Sequence, residues 1–293
     1  MVVETIDWTD LSFQEARQTL KKWRDDHARR SEEIVEIWEH VLSRYTSSLH
    51  DELWAVLEQV TIAAIDSARH DVALQCLQKL MTQFPSSSRV AKLQAMRLEA
   101  LKNYDDAEAL YNKLIKADET NPGFRKRKVA ILIAKGEKLE AIRELNEYLE
   151  IFINDTEAWI ELSELYLKEA DYARAAFAFE DVLLSTPHSS LNLRRIAEIR
   201  YAQGGQDNLE LAKAYYDKAI QLNPDDTRSL FGVVLVCNQL ANKASPAKKK
   251  ELIQTGTRAL DKLASIYKKA GDNPKQDIHQ RTVNALRTQL SQS

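Results

Sequence analysis

Trp159-Ile160-Glu161-Leu162-Ser163-Glu164-Leu165-Tyr166, followed by Ala175-Ala176-Phe177-Ala178-Phe179, Val182 and Pro187, is the stretch that decides the fold. Trp159, Leu162 and Tyr166 fall at i, i+3 and i+7, one face of a first helix. Ala175 and Phe179 fall at i and i+4 on a second. The small Ala175 admits a close approach of two backbones, and the aromatic Phe179 fills the seam to the next unit. Pro187 ends the second helix because it has no backbone N–H to donate. The segment 156–186 is therefore predicted to be a helix–turn–helix unit.

The same unit recurs outward from Ala175. Ala73, Ala107, Ala141 and Ala175 are spaced by 34 residues, and Ala212 follows after 37. Four residues beyond each stands a large apolar side chain: Leu77, Tyr111, Leu145, Phe179 and Tyr216. Three further on come Leu80, Leu114, Tyr148, Val182 and Ala219. Pro85 and Pro224 repeat the place of Pro187; Glu119 and Ile153 depart from it, with Pro122 close by. A period of 34 with this pattern is the tetratricopeptide repeat, a helical hairpin that stacks into a solenoid. Ser163 stands where the repeat pattern has glycine, and both are small. The expected fold is all-α: a right-handed superhelical solenoid of tetratricopeptide repeats with extra capping helices at both ends.

Residues 1–11 read as a flexible lead and 12–291 as one solenoid domain, clearest over about 54–224. Ser12-Phe13-Gln14-Glu15 is a capping box opening a helix to about His27. Further helices are predicted over 31–45, 50–69, with Trp54, Leu57, Val60, Ala64 and Ala68 inward, and 71–84. Pairs follow over 88–118, 122–152, 156–186 and 190–222. The last pair carries three extra residues near Gly204-Gly205, where glycine permits positive backbone angles. Divergent helices occupy 227–291: an apolar one over 227–242, a lysine-rich loop Ser245–Lys250, a helix over about 250–270, and a polar cap over about 275–290.

With 7 glycines and 6 prolines in 293 residues the chain has few breaks, which suits nearly continuous helix. The net charge of −3 gives no global field for nucleic acid. Cys76 and Cys237 sit in apolar helical patterns and read as buried reduced thiols. No apolar run reaches the length of a membrane span, and the N-terminus lacks the basic and apolar regions of a secretory signal. A cytosolic protein is expected, reaching membranes only through partners.

An enzyme reading finds little support. The six histidines form no H-x-x-x-H pair, and there is no C-x-x-C, phosphate loop or nucleophile elbow. His70 and His188 fall at predicted turns and read as solvated. No cofactor or metal is expected. What remains is the concave groove of a solenoid, lined by first helices. Repeat register points Arg89, Lys92 and Met96 into it, then Lys126, Arg127, Ala130 and Ile133. Next come Glu157, Ile160, Glu161, Glu164 and Leu167, and then Arg194, Glu198 and Tyr201. In the run Arg125-Lys126-Arg127-Lys128 the middle two face the groove, and the outer two approach the packing side. A groove gripping a terminal carboxylate would need lysine and asparagine one turn apart. Met96 follows Lys92 and Ala130 follows Lys126, so that clamp is missing. A soluble cochaperone or adaptor binding acidic peptides stays as the alternative to a scaffold.

Some residues go beyond repeat consensus. Asp106-Ala107 with Leu110-Tyr111, Arg125 to Ile131, Glu140 to Glu150, and Asp155-x-Glu157-Ala158-Trp159 resemble the subunit 2 family of the endoplasmic-reticulum membrane protein complex. So do Asp171-Tyr172-Ala173-x-Ala175-Ala176-Phe177, Asn208 to Leu211, Leu230-Phe231-Gly232, Lys22-Trp23-Arg24, Ser31-Glu32-x-Ile34-Val35-Glu36 and Gln83-Phe84-Pro85. The likeness runs from about residue 12 to 271. It implies a non-catalytic scaffold on the cytosolic face of the endoplasmic reticulum. Such a subunit cradles cytosolic segments of membrane subunits and binds soluble subunit 8 or 9. The assembly inserts tail-anchored and multipass membrane proteins, by a route through other subunits. Lys126 and Arg127 are first choices for partner contact.

Overall fold

The computed structural model describes residues 7–269 and 276–292, so residues 1–6 of the expected flexible lead lie outside the described residues. Among the described residues every regular element is a helix. The chain divides into two compact units, Met1–Glu144 and Leu145–Ser293. The first holds α1 (Phe13–Asp25), α2 (Ser31–His40), a 3-10 helix (Leu42–Leu49), α3 (Glu52–Asp66) and α4 (His70–Gln83). It continues with α5 (Ser88–Ala100), α6 (Tyr104–Ala117), α7 (Pro122–Lys135) and the first half of α8 (Lys138–Ile151). The second unit adds α9 (Thr156–Lys168), α10 (Tyr172–Ser185), α11 (Ser190–Gln203), α12 (Gln206–Leu222), α13 (Thr227–Ala241), α14 (Pro246–Lys269) and α15 (Gln276–Gln292).

The hairpins close on a repeated turn. Ala68, Lys102, Gly136 and Ala170, 34 residues apart, all have left-handed backbone, with φ of 59°, 60°, 83° and 56°. After each, a backbone N–H reaches five residues back: Arg69 to Ala64, Asn103 to Leu98, Glu137 to Leu132 and Asp171 to Tyr166, at 2.7–2.9 Å. This wide bond is the Schellman closure, which satisfies carbonyls that the helix end would orphan. The next step of 34 lands on Gly204, whose φ 72° and ψ −174° belong to glycine. Gly205 is also positive, and α12 starts at Gln206, in step with Tyr172 at the start of α10. At 17 residues against 14 in α10, α12 itself takes up the three extra residues, at its N-terminal end and not in the turn where they were expected, and so shifts the following alanine to Ala212.

The hairpins pack through the small positions. Ala73, Ala107, Ala141, Ala175 and Ala212 are completely buried. Tyr111, Leu145, Phe179 and Tyr216 are buried beside them, and Pro187 and Pro224 sit exposed in the turns after α10 and α12. The Ser12–Glu15 capping box forms in full at α1. Trp8 packs edge-on to Trp23 with centroids 5.2 Å apart, which joins this residue to α1. At the other end Val283 and Leu290 of α15 are buried, and Leu290 lies over Gly256 of α14.

Three further expectations need correction. The helix predicted over 31–45 stops at His40, with Val41 as its C-cap, and a 3-10 helix follows that kinks at Tyr45, where φ is −118° and ψ 32°. The hydroxyl-rich run Ser43-Arg44-Tyr45-Thr46-Ser47-Ser48 competes for backbone groups there; Ser43 Oγ donates to the Glu39 carbonyl at 3.1 Å. Ala68 is an exposed turn residue rather than part of the inward face of α3. The lysine-rich segment is the first turn of α14, because Pro246 has the fixed φ that suits a helix start.

Candidate protein-interaction site

A cleft of about 710 Å³ lies wholly within the first unit. Helices α1 and α2 with their connecting loop supply one wall, and α3, α5 and α7 supply the rest. Lys92, Met96 and Arg127 all line it. Trp23 forms part of its floor, with the Arg30 guanidinium 5.2 Å from the ring centroid, a cation–π stack.

Ion pairs fix several wall residues. Arg29 donates two bonds to Asp66 at 2.9 and 3.0 Å, and Arg89 donates to Glu58 at 2.7 Å. Arg24 donates to the Gln59 amide oxygen at 3.0 Å. Arg127 donates to Glu99 at 3.1 Å, and Glu99 also accepts the Tyr111 hydroxyl at 2.5 Å. Burial, then the Glu99 carboxylate, pushes the Tyr111 hydroxyl well above the usual phenol range. Tyr111 is therefore a permanent donor that helps hold Glu99 against Arg127. Lys92 is half-buried and, among the described residues, has no ion-pair or hydrogen-bond partner.

The other candidates lie elsewhere. Lys126 is half-buried on α7 but does not line the cleft. Lys128 pairs with Glu144 of α8, and the Arg125 Nε is buried. In the second unit Ile160 and Glu161 are half-buried on α9. Glu164 pairs with Arg195 of α11, which also reaches Glu198 at 3.2 Å. Arg194 donates to Asp226 at 2.9 Å, and Asp226 accepts the Ser229 hydroxyl at 2.6 Å. With side-chain exposures of 18% and 9%, Arg194–Asp226 is a structural pair tying α11 to the start of α13. The Tyr201 hydroxyl accepts from Gln239 at 2.9 Å. The charges of this face largely satisfy one another.

Register along the first helices found Arg89, Lys92, Met96 and Arg127 but not Arg24, Arg29 and Arg30. These three belong to α1 and its loop, outside the 34-residue period. Arg195 was also missed, because it neighbours the more regular Arg194. His70, read as solvated, starts α4 with its Nδ1 buried. Among the described residues no helix is long and apolar enough to cross a membrane.

Comparison with known proteins places these features in context. Residues 70–207 match the family profile described as the EMC2 TPR-like repeat domain, and residues 201–226 match the tetratricopeptide repeat. The chain is 44% identical over 267 residues to ER membrane protein complex subunit 2-B of Xenopus laevis, covering 90% of each chain. It is 27% identical over 272 residues to ER membrane protein complex subunit 2 of Dictyostelium discoideum, covering 88% of this chain and 84% of that one. It is 30% identical over 213 residues to TPR repeat protein oca3 of Schizosaccharomyces pombe, covering 72% and 76%. Among solved structures, the C-terminal part of a TPR repeat-containing protein from Cytophaga hutchinsonii superposes with a TM-score of 0.59 at 16% identity. That match covers 86% of this chain and 99% of that one, and it supports the fold alone.

Proposed function

Because the chain belongs to the subunit 2 family of the endoplasmic-reticulum membrane protein complex, we propose that it is a non-catalytic scaffold of such a complex. It works on the cytosolic face and organises cytosolic segments of membrane subunits together with a soluble partner of the subunit 8 or 9 type. The assembly it serves inserts tail-anchored and multipass membrane proteins, and the intramembrane path belongs to other subunits. The observation that carries this reading is the 44% identity across 90% of the chain. The basic cleft and the charged α9–α11 face support it as surfaces suited to peptide segments.

Lys92, Met96, Lys126 and Arg127 in the first unit, and Ile160, Glu161, Glu164, Arg194 and Tyr201 in the second, are assigned to or beside the contact surfaces. Affinity purification from detergent-solubilised membranes, with partners identified by mass spectrometry, tests the reading. Recovery of membrane-embedded subunits in fixed proportion is expected. A chain that fractionates as a free monomer from cells with intact membranes overturns it. Lys126→Glu should weaken recovery with an unchanged helical spectrum. Arg127→Glu should weaken recovery as well, and it also strips Glu99 of its partner.

A further inference from the structure

The first-unit cleft carries positive charge that its own residues do not balance. Its walls present Arg24, Arg29, Arg30, Arg89, Lys92 and Arg127 against two carboxylates, Glu58 and Asp66. Asp66 is taken by Arg29 and Glu58 by Arg89, while Arg127 draws on Glu99 from outside the cleft. Arg30 reaches Glu33 only at 4.0 Å and rests on the Trp23 ring. Among the described residues, Arg24 and Lys92 have no carboxylate within ion-pair distance. Lys92 is nevertheless half-buried, where an uncompensated ammonium is less well solvated than in open water.

The floor differs in kind from the walls. Trp23, Ile34 and Leu93 are buried beneath it, and Ile62 and Met96 present partly exposed apolar surface into it. At about 710 Å³ the cleft has the size of a binding pocket. An apolar floor between cationic walls suits a segment with apolar side chains on one side and carboxylates on the other. Nucleic acid fits less well, because such a floor offers little to a phosphate backbone and the whole chain is net negative.

We propose that this cleft docks an acidic amphipathic segment of a partner protein, whose carboxylates pair with Lys92 and Arg24 while its apolar side chains cover Ile62 and Met96. The inference rests on the scaffold reading above and names the chemistry of one partner segment. Lys92 is the most informative residue, because no internal ion pair is lost when it is changed.

Two measurements on the full chain test it. The first uses fluorescence anisotropy with a fluorescein-labelled peptide of about twelve residues, leucine at helical spacing and glutamate between. Saturable binding that weakens with salt is expected. Lys92→Glu should weaken it about tenfold, through one ion pair lost and one repulsion gained. Ile62→Ser should weaken it too, and both variants should keep the wild-type helical spectrum. Equal binding of a glutamine-for-glutamate peptide, indifference to Lys92→Glu, or no binding up to millimolar peptide overturns the proposal. So does displacement of the peptide by a single-stranded oligonucleotide of equal affinity.

The second measurement treats the detergent-purified assembly with a carbodiimide. The Lys92 amine and a partner carboxylate then join as an amide, and the reagent takes up the lost water as its urea. A cross-link from Lys92 to Asp or Glu of another chain is expected. Co-purification with membrane subunits but no Lys92 cross-link sinks the cleft assignment and leaves the scaffold reading standing. Absence of co-purification sinks the scaffold reading, while the peptide titration still reports on the cleft.

Discussion

Ser163 of α9 donates a hydrogen bond from its Oγ to the carbonyl of Ala175 in α10, at 2.8 Å and fully buried. The bond joins the two small positions that let this hairpin close. Glycine at 163 would allow the same approach but could not make the bond. Ser163→Ala keeps the small volume and removes the donor. The Ala175 carbonyl faces α10's own backbone as well, so its loss of one donor is partial. A destabilisation of about 1 kcal/mol is expected, read as a lower urea midpoint with an unchanged m value. Ser163→Val should cost more, because it also forces the helices apart. A Ser163→Ala variant as stable as wild type would show that close packing alone sets this hairpin.

Gly232 of α13 marks a tighter approach. A Cβ built there would lie 2.3 Å from Cζ of Tyr216 and 2.4 Å from its Cε1. Tyr216 is the large residue of its repeat and is itself 4% exposed, so its ring has little room to withdraw. Gly232→Ala should therefore destabilise by about 2 kcal/mol or more, despite alanine's better helix propensity. The clash is with the ring, not the hydroxyl. Tyr216→Phe should not rescue it, whereas Tyr216→Leu should restore part of the loss. A double-mutant cycle measures this coupling, and strict additivity of the two changes contradicts the contact.

The left-handed turns favour glycine, so removing a Cβ at one and adding a Cβ at another should have opposite signs. Ala68, Lys102 and Ala170 hold positive φ with a Cβ present, which costs about 1 kcal/mol or slightly more per residue. Changing Lys102 to glycine removes that strain but widens the unfolded ensemble by about 0.5–1 kcal/mol. A net gain of a few tenths of a kcal/mol or more is expected for Lys102→Gly, in thermal or urea unfolding. Gly204→Ala should instead destabilise clearly, since its φ 72°, ψ −174° conformation excludes a Cβ. Matching signs for the two substitutions would contradict the turn assignment.

These turns also show what the sequence conceals. The alanine ladder is legible because close packing admits few residue types at Ala73, Ala107, Ala141, Ala175 and Ala212. The parallel ladder of turns is not, because only Gly136 and Gly204 advertise positive φ, while Ala68, Lys102 and Ala170 adopt it under the pull of the closing bond. The break after α2 is hidden for a related reason. Val41, Leu42 and Tyr45 continue the apolar period, although the hydroxyl run between them favours a tighter turn. The candidate cleft was half legible. Lys92, Met96 and Arg127 follow from repeat register, but Arg24, Arg29 and Arg30 enter through a tertiary approach that no 34-residue period encodes. Arg194 illustrates the converse: register aimed it at the groove, and the nearby Asp226 holds it in an internal pair.

The two cysteines connect burial to alkaline stability. Burial pushes the Cys76 thiol up to about 12 and the Cys237 thiol up to about 11, from an ordinary value of 9.0. The unfolded chain therefore loses these protons first. Between pH 9 and the folded values it binds fewer protons than the native state, so stability falls as pH rises. Each thiol contributes a slope of up to about 1.4 kcal/mol per pH unit in that window, and none below it. Burial likewise raises the hydroxyls of Tyr111 and Tyr216 from 10.0, adding the same sign at higher pH. Urea midpoints should hold steady from pH 7 to about 8.5 and then decline. Replacing both cysteines by alanine should flatten the first part of that decline, between about pH 9 and 10, and leave the tyrosine part in place. Reaction with a disulfide reagent at pH 8 offers an independent check. Both thiols should label only in denaturant, and prompt labelling of the native chain would mean that they are not buried as described.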